Sequence, residues 1–259
     1  MSGRSFFPTR PLHACQLWQT AVGVESDEME ACLLQMPRLR PQDLTPTALC
    51  EELFPNHGDS IRIMKAHVAL PNLEKILLAA LEIGSRKGFY STTTRDLSEA
   101  SGLGMGAIYS YVDSKESLLR MILEAVEFAV EHAIAPAEAG EDNDPSLRRR
   151  GLIRRHILVS ETMQRWFYFA FLEVKAFDKA ARDLALTSEL RTERLLADAI
   201  QSGIDQGIYA PADALVMAGL IKPLLQDWYV NRWKFRQRGI SKEQYIGIVT
   251  GFVERAIAR

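Results

Sequence analysis

The stretch TTTRDLSEASGLGMGAIYSYVDSKE, residues 92–116, decides how the rest of the chain reads. Its spacing predicts two short helices joined by a glycine-rich turn, with a third helix starting directly after. Thr93 stands where a helix needs an N-cap, and Asp96, three residues on, offers the matching capping-box carboxylate. Leu97 and Ala100 fall inward, Gly102 ends the first helix, and Leu103-Gly104-Met105-Gly106 makes the turn. The second helix is expected over 105–112, with Ile108 and Val112 on its inner face. That leaves Met105, Ala107, Tyr109, Ser110 and Tyr111 for the outer faces. Asp113 is expected to cap the next helix, with Glu116 completing its box.

A helix that enters the ~12 Å major groove of DNA needs an outer face small enough for close approach. Gly104, Gly106 and Ala107 supply it. Tyr109, Ser110 and Tyr111 bring hydroxyls for phosphates or base edges. Thr93 and Thr94 open a helix, where hydroxyls and free backbone N–H groups favour a phosphate. Arg95 is the candidate for bidentate reading of a guanine. Lys115 lies in a first turn, a poor place for a cation against its own helix dipole, and a phosphate partner would explain it. The competing reading is a compact three-helix unit whose outer residues are simply solvated.

Working outward, NLEKILLAALEIGSRKGF from residue 72 is an amphipathic helix, with Leu73, Ile76, Leu77, Ala80 and Ile83 on one face and Gly88 as its stop. A short helix is expected from Ser60 to about residue 69, interrupted at Pro71-Asn72. After the central stretch a long helix is expected over 114–134, then a loop with an acidic run at 141–144. Helices follow near 146–160, 163–177, 180–205, 211–236 and 241–257, the last capped by Ser241. Residues 1–65 are punctuated by six prolines. Asp27 caps an expected helix over 27–36; Thr45-Pro46 starts another that should stop before Pro55. Leu44, Leu49, Leu53 and Phe54 in that region need a partner surface. No alternating strand pattern and no internal repeat is present, so the class is all-α.

Composition is that of an ordinary globular protein: 259 residues, 47% hydrophobic, 25% charged, net charge −2. Any nucleic-acid binding must come from a local surface, not from global attraction. No run approaches the ~18 apolar residues of a membrane span, and no signal peptide is evident, so a cytoplasmic protein is expected. Cys15, Cys32 and Cys50 lack paired zinc spacing. His13, His57, His67, His132 and His156 are scattered, without nucleophile or ligand spacing, and no phosphate-loop or dinucleotide fingerprint occurs. Neither catalytic residues, metal nor cofactor are expected.

Residues 72–120 resemble the DNA-binding domain of the TetR family of bacterial transcriptional regulators. The resemblance rests on Gly88-Phe89, Thr93-Thr94, Gly102-Leu103, Gly106, Ile108-Tyr109-Ser110-Tyr111 and Ser114-Lys115-Glu116. Gly104 departs from a frequent serine, Val112 from a frequent aromatic, and the N-terminal extension is longer than the family's usual arm. The resemblance implies an extension over 1–65, a helix-turn-helix domain over 66–125 and a ligand-binding and dimerisation domain over 126–259. It implies DNA-binding residues Thr93, Thr94, Arg95, Gly104, Met105, Gly106, Ala107, Tyr109, Ser110, Tyr111 and Lys115. It also implies a homodimer on a near-palindromic double-stranded operator, joined by the last two long helices through Leu220, Leu224, Ile246, Val249 and Phe252.

WFYFAFLEVKAF, residues 166–177, reads either as plain core or as partly lining a cavity. Trp166, Phe169, Glu173 and Trp228 are the candidate pocket residues. Arg148, Arg149, Arg150, Arg154 and Arg155 are either a solvated face or, at Arg150 and Arg154, a phosphate clamp. Gly203, Gly207-Ile208-Tyr209 and Trp228-Tyr229-x-x-Arg232-Trp233 look like family members that respond to fatty acyl compounds, acyl-CoA thioesters included. The implied function is a regulator, a repressor, released from DNA by a hydrophobic, acyl-CoA-like effector. The alternative is an interaction protein of the same fold that has lost DNA reading and holds a protein partner with its extension.

Overall fold

The computed structural model describes residues 39–58, 60–63, 65–135, 141, 143–174 and 177–259. The expected helix over 27–36, Cys15, Cys32 and His13 lie outside them. Among the described residues the class is all-α, with a single antiparallel bridge between Tyr209 and Ala258.

Helix α1 is Pro46–Asn56; Thr45 caps it by accepting from the Ala48 N–H at 3.2 Å. It runs through Pro55 instead of stopping before it. Pro55 falls in the last turn and is exposed, so the carbonyl left without a donor faces water. Helix α2, Ala66–Lys87, likewise runs through Pro71, and the expected break at 71–72 does not occur; the first turn there is exposed. Its predicted apolar face is buried throughout: Leu73, Ile76, Leu77, Ala80 and Ile83. Gly88 closes it with φ +83°, a conformation that favours glycine.

Helices α3 (Thr94–Ser101) and α4 (Met105–Ile108) flank a turn in which Gly102 has φ +71°. Helix α4 is half the expected length. Helix α5, Lys115–Ala129, is capped by Ser114, not Asp113: the Ser114 Oγ accepts from the Ser117 N–H at 3.0 Å. It widens into one π turn at Val130–Ile134. Then come α6 (Pro145–Thr162), α7 (Gln164–Glu173), α8 (Lys179–Asp205), α9 (Ala214–Val230), α10 (Arg232–Gln237) and α11 (Lys242–Ile257). The helix expected over 211–236 starts at Ala214, because Asp213 accepts from the Leu215 and Val216 N–H groups, both at 3.0 Å. It breaks at Asn231, whose φ −110° and ψ 34° leave the helical range. The helix expected over 163–177 ends at Glu173.

Two hydrophobic cores result. The first gathers α1, α2 and the small helices α3 and α4 around the whole length of α5, and takes in Val159, Met163, Trp166, Phe167 and Phe169. The second joins α6, α8, α9, α10 and α11 through Ile153, Ile200, Leu225, Trp228, Phe235 and Val249. The residues before α2 form a strap over the first core. Leu44, Leu49, Leu53 and Ile61 are buried in it. The strap's backbone is tied at both ends. The Leu39 N–H donates to the His132 carbonyl at 3.0 Å and the Arg62 N–H to the Ser110 carbonyl at 2.8 Å. Between them the His57 Nε2 lies 2.6 Å from Glu124 Oε2 on α5. This is the partner surface that the apolar residues of the extension required.

Candidate functional site

The DNA-reading unit is assembled by local hydrogen bonds. Thr93 and Asp96 form the predicted capping box: the Thr93 N–H and hydroxyl donate to Asp96 Oδ2 at 2.7 and 2.6 Å, and the Asp96 N–H donates to Thr93 Oγ1 at 3.2 Å. Lys87, at the end of α2, reaches the same carboxylate at 2.7 Å. The lysine first, and the Thr93 hydroxyl second, hold the Asp96 carboxyl well below the usual carboxylate range. The Ser98 hydroxyl donates to the Leu103 carbonyl at 2.6 Å and fixes the turn.

Only Ile108 of α4 is buried; Gly104, Met105, Gly106 and Tyr109 are exposed. A Cβ at Gly104 or Gly106 would meet nothing, so no contact within the chain requires glycine there. The Tyr109 hydroxyl lies 3.2 Å from Thr94 Oγ1, so one exposed hydroxyl pair spans α3 and the end of α4. Arg95 is exposed beside it, and Ala107 and Ser110 are partly buried. These positions form one open face.

Two further expected contact residues, Tyr111 and Lys115, reach partners distant in the chain. Tyr111, expected on the outer face, is buried, and its hydroxyl accepts from Asn72 Nδ2 at 2.9 Å. The chain leaves α4 after Ile108, which turns Tyr111 back onto α2. The Lys115 ammonium donates to the Tyr90 carbonyl at 2.6 Å and lies over the Phe89 and Tyr90 rings. Partial burial lowers its pKa. Lysine has three donors, so two remain for a phosphate.

Away from this face, a cavity of about 430 Å³ lies where the two cores meet. Leu123 and Val126 of α5, with Val130 of its π turn, form one wall, Phe167 and Phe171 of α7 a second, and Leu184, Lys222 and Tyr229 of α8 and α9 a third. The candidate pocket residues were assigned to the wrong helix faces. Trp166 and Phe169 point from α7 into the first core, where Phe169 meets Phe89 edge-on at 5.3 Å and fills the space beside Gly84. Glu173 continues that face and accepts from the Phe89 N–H at 3.0 Å. The neighbours one position along, Phe167, Ala170 and Val174, line the cavity instead, together with Phe171. Trp228 belongs to the second core, stacked on Tyr245 at 4.8 Å with the Arg232 guanidinium 4.1 Å from its ring; Tyr229 is the cavity residue.

The cavity's polar residues Lys222, His156, Thr192 and Glu189 were missed. The signal was available: Lys222 interrupts an otherwise apolar run, ALVMAGLIKPLL, with a cation that faces inward.

None of the five arginines lines the cavity. Arg149 is buried and donates to the Tyr209 hydroxyl at 3.2 Å; Arg155 is buried against Glu141 and the Ile134 carbonyl. Arg150 is exposed and bonds Glu254 at 2.5 Å; Arg154 is exposed. The structure therefore does not bring Arg150 and Arg154 to a ligand space as a phosphate clamp.

On the far side of the second core, α9 and α11 present an exposed apolar stripe of Leu215, Val216, Leu220, Ile248 and Phe252. Leu220 is 64% and Phe252 55% exposed, and Leu224 is partly so. Ile246 and Val249 face the other way, into the chain's own core, because they lie on the row of α11 shared with Val253. Among the described residues no group of three His, Cys, Asp or Glu side chains is placed to hold a metal ion. No helix among them is long and apolar enough to cross a membrane.

Comparison with known proteins agrees with this geometry. The family described as "Bacterial regulatory proteins, tetR family" matches residues 76–122, the end of α2 through the start of α5. The chain is 28% identical over 193 residues to the HTH-type transcriptional regulator AcrR of Shigella flexneri, covering 68% of this chain and 86% of that protein. It is 23% identical over 172 residues to the HTH-type transcriptional regulator HbdR of Aromatoleum sp. (strain CIB), covering 66% of this chain and 74% of that one. In fold it is similar to AibR, solved in complex with isovaleryl coenzyme A and operator DNA. The TM-score there is 0.60 at 20% identity, over 70% of this chain and 97% of that one. With the helix-turn-helix built as residues 92–116 predict and the family model matched across it, residues 76–122 form a TetR-family helix-turn-helix domain, in a chain similar to DNA-binding transcriptional regulators.

Proposed function

We propose that this protein is a ligand-released repressor that binds a near-palindromic operator as a homodimer. The observation that carries this reading is the position of the cavity: two of its lining residues belong to α5, the helix that begins directly after the DNA-reading unit, and a third, Val130, to the π turn that continues it. A ligand that favours one tilt of α5 shifts the population of reader positions by its difference in affinity for the two states. The domain plan is the extension to residue 65, the reader over 66–125 and the effector and dimer region over 126–259.

At the reader, Arg95, Tyr109 and the close approach of Gly104, Met105, Gly106 and Ala107 read the groove. Thr93, Thr94, Ser110 and Lys115 hold phosphates. The dimer forms on the exposed stripe around Leu220 and Phe252. The effector is small and apolar. Acyl compounds, the class to which AibR's isovaleryl coenzyme A belongs, have the chain such a space needs.

The test is a footprint and gel shift on the DNA upstream of the protein's own gene. A protected near-palindrome, with affinity falling steeply as salt rises, supports the reading. Absence of any protected site across a broad DNA library would overturn it in favour of an interaction protein that binds its partner through the extension.

A further inference from the structure

The cavity has one polar wall, and that wall holds a buried cation with a partly exposed counter-ion. Lys222, on α9, is 4% exposed. Its ammonium donates to Glu189 Oε2 at 3.2 Å and to the Thr192 hydroxyl, and stands 3.3 Å from His156 Nε2. A cation that deep needs a negative partner. Glu189 supplies it from the rim, with its side chain 36% exposed and its other oxygen accepting from Gln226 Nε2 at 2.7 Å. Lys222 is almost fully buried, whereas Glu189 is already partly in water.

His156 is 2% exposed on the same wall. Burial first, and the Lys222 charge second, push its pKa well below the ordinary value, so the ring is neutral. With an ammonium facing Nε2, that nitrogen accepts, and the proton sits on Nδ1. Nδ1 has no hydrogen-bond partner among the described residues. Ser188, Gln226 and Tyr229 are the other polar residues of the lining, and the remainder is apolar, with Leu123, Val126, Val130, Phe167, Phe171 and Leu184 prominent.

We propose that the effector of this cavity is a free apolar carboxylic acid, whose carboxylate displaces Glu189 as the counter-ion of Lys222 while its chain lies against α5 and α7. The proposal rests on the effector reading above and narrows it. A cationic ligand would meet Lys222, and a neutral one would leave the Lys222–Glu189 pair as it stands. At ~30 Å³ per water-sized group, a space of about 430 Å³ holds roughly a dozen non-hydrogen atoms, the size of a medium-chain acid. A coenzyme A ester would mask the carboxylate and bring phosphates to a site that no arginine lines. Exchange at this wall also breaks the bond between α8 and α9 that Glu189 and Lys222 make, which gives the ligand a structural consequence.

The test is calorimetric titration of the full-length protein with decanoate, decan-1-ol and decanoyl coenzyme A. The expected result is that decanoate binds at least tenfold tighter than the alcohol or the thioester. In Lys222→Met the acid loses that advantage over the alcohol. In Glu189→Gln, a rim change that leaves the core intact, decanoate binds severalfold tighter because its competitor has lost its charge. An alcohol or thioester that binds as well as the acid overturns the carboxylate proposal and leaves the effector reading standing. So does a Glu189→Gln variant with unchanged or weaker decanoate affinity, which decides the matter even if Lys222→Met does not fold. Binding of none of the three ligands overturns the proposal and removes the support for an apolar effector as well.

Discussion

In the first core, α7 lies on α2 with Phe169 against Gly84 and Phe89, and Glu173 holds the Phe89 backbone. In the second, Trp228 is packed between Tyr245, Phe235 and the Arg232 guanidinium, and Arg232 is in turn held by Glu161 through two bonds of 2.9 and 2.8 Å. One core contains the DNA reader; the other carries the exposed apolar stripe. The difference is instructive because neither follows the order of the chain. The first core continues past residue 125 along α5 and recruits α7, so the reader is packed against a helix some fifty residues downstream, a non-local contact of the kind that folds late. The cavity lies in the seam, lined by α5 and α7 on one side and α8 and α9 on the other.

The comparison is best broken at its two largest ring anchors. Phe169→Ala and Trp228→Ala should each cost about 3–5 kcal/mol, the usual range for an aromatic removed from a core. Native-state hydrogen exchange should rise chiefly in α2 and α7 for the first and in α9 and α11 for the second. Equal acceleration everywhere would mean that the two cores open as one. Next in size is the stripe on the second core. Leu220→Glu with Phe252→Glu should weaken self-association by about 2 kcal/mol or more while leaving the helix content unchanged, as read by sedimentation and circular dichroism. A dimer that survives both charges would place the interface elsewhere.

Tyr109→Ala, on the first core's open face, should weaken operator binding about tenfold, near 1.4 kcal/mol, with an unchanged melting temperature. Unchanged binding would exclude the exposed Tyr109–Thr94 pair from the contact. The smallest effect concerns the seam. Unfolded His156 takes up a proton near pH 6.5 and the buried ring does not, so the folded state loses stability as pH falls below that value. The loss attributable to this one ring between pH 7 and pH 6 is about 0.7 kcal/mol. It continues to grow until the folded ring itself protonates. His156→Gln should flatten that part of the stability profile; an identical slope in the variant would mean that other groups set it.

What could be read from sequence was what depends on neighbours in the chain. Thr93 with Asp96, the helix stops at Gly88 and Gly102, and the Ser241 cap are local solutions to local needs, and all stand as read. The apolar face of α2 was legible because polar residues bound it. Helix α7 was not, since RWFYFAFL is apolar on nearly every side and its period cannot say which aromatic meets which partner. Tyr111 was misjudged for a similar reason: what buries it is Asn72, thirty-nine positions earlier. Pro55 and Pro71 read as helix breakers, and the exposed turns that tolerate them become visible only in three dimensions. Ser114 took the cap expected of Asp113 because either residue chemically qualifies.

The strap has a consequence for how the protein is made. Its apolar residues Leu44, Leu49, Leu53 and Ile61 leave the ribosome before any of the helices that cover them. Its upstream end is fastened to His132, so that bond cannot close until about ninety further residues have been synthesised, on the order of five to twenty seconds at bacterial elongation rates. For that interval the nascent chain carries a greasy segment that is not yet fully covered. The prolines at 41, 46 and 55 interrupt this segment, and proline keeps an exposed chain from pairing with another as a β-strand.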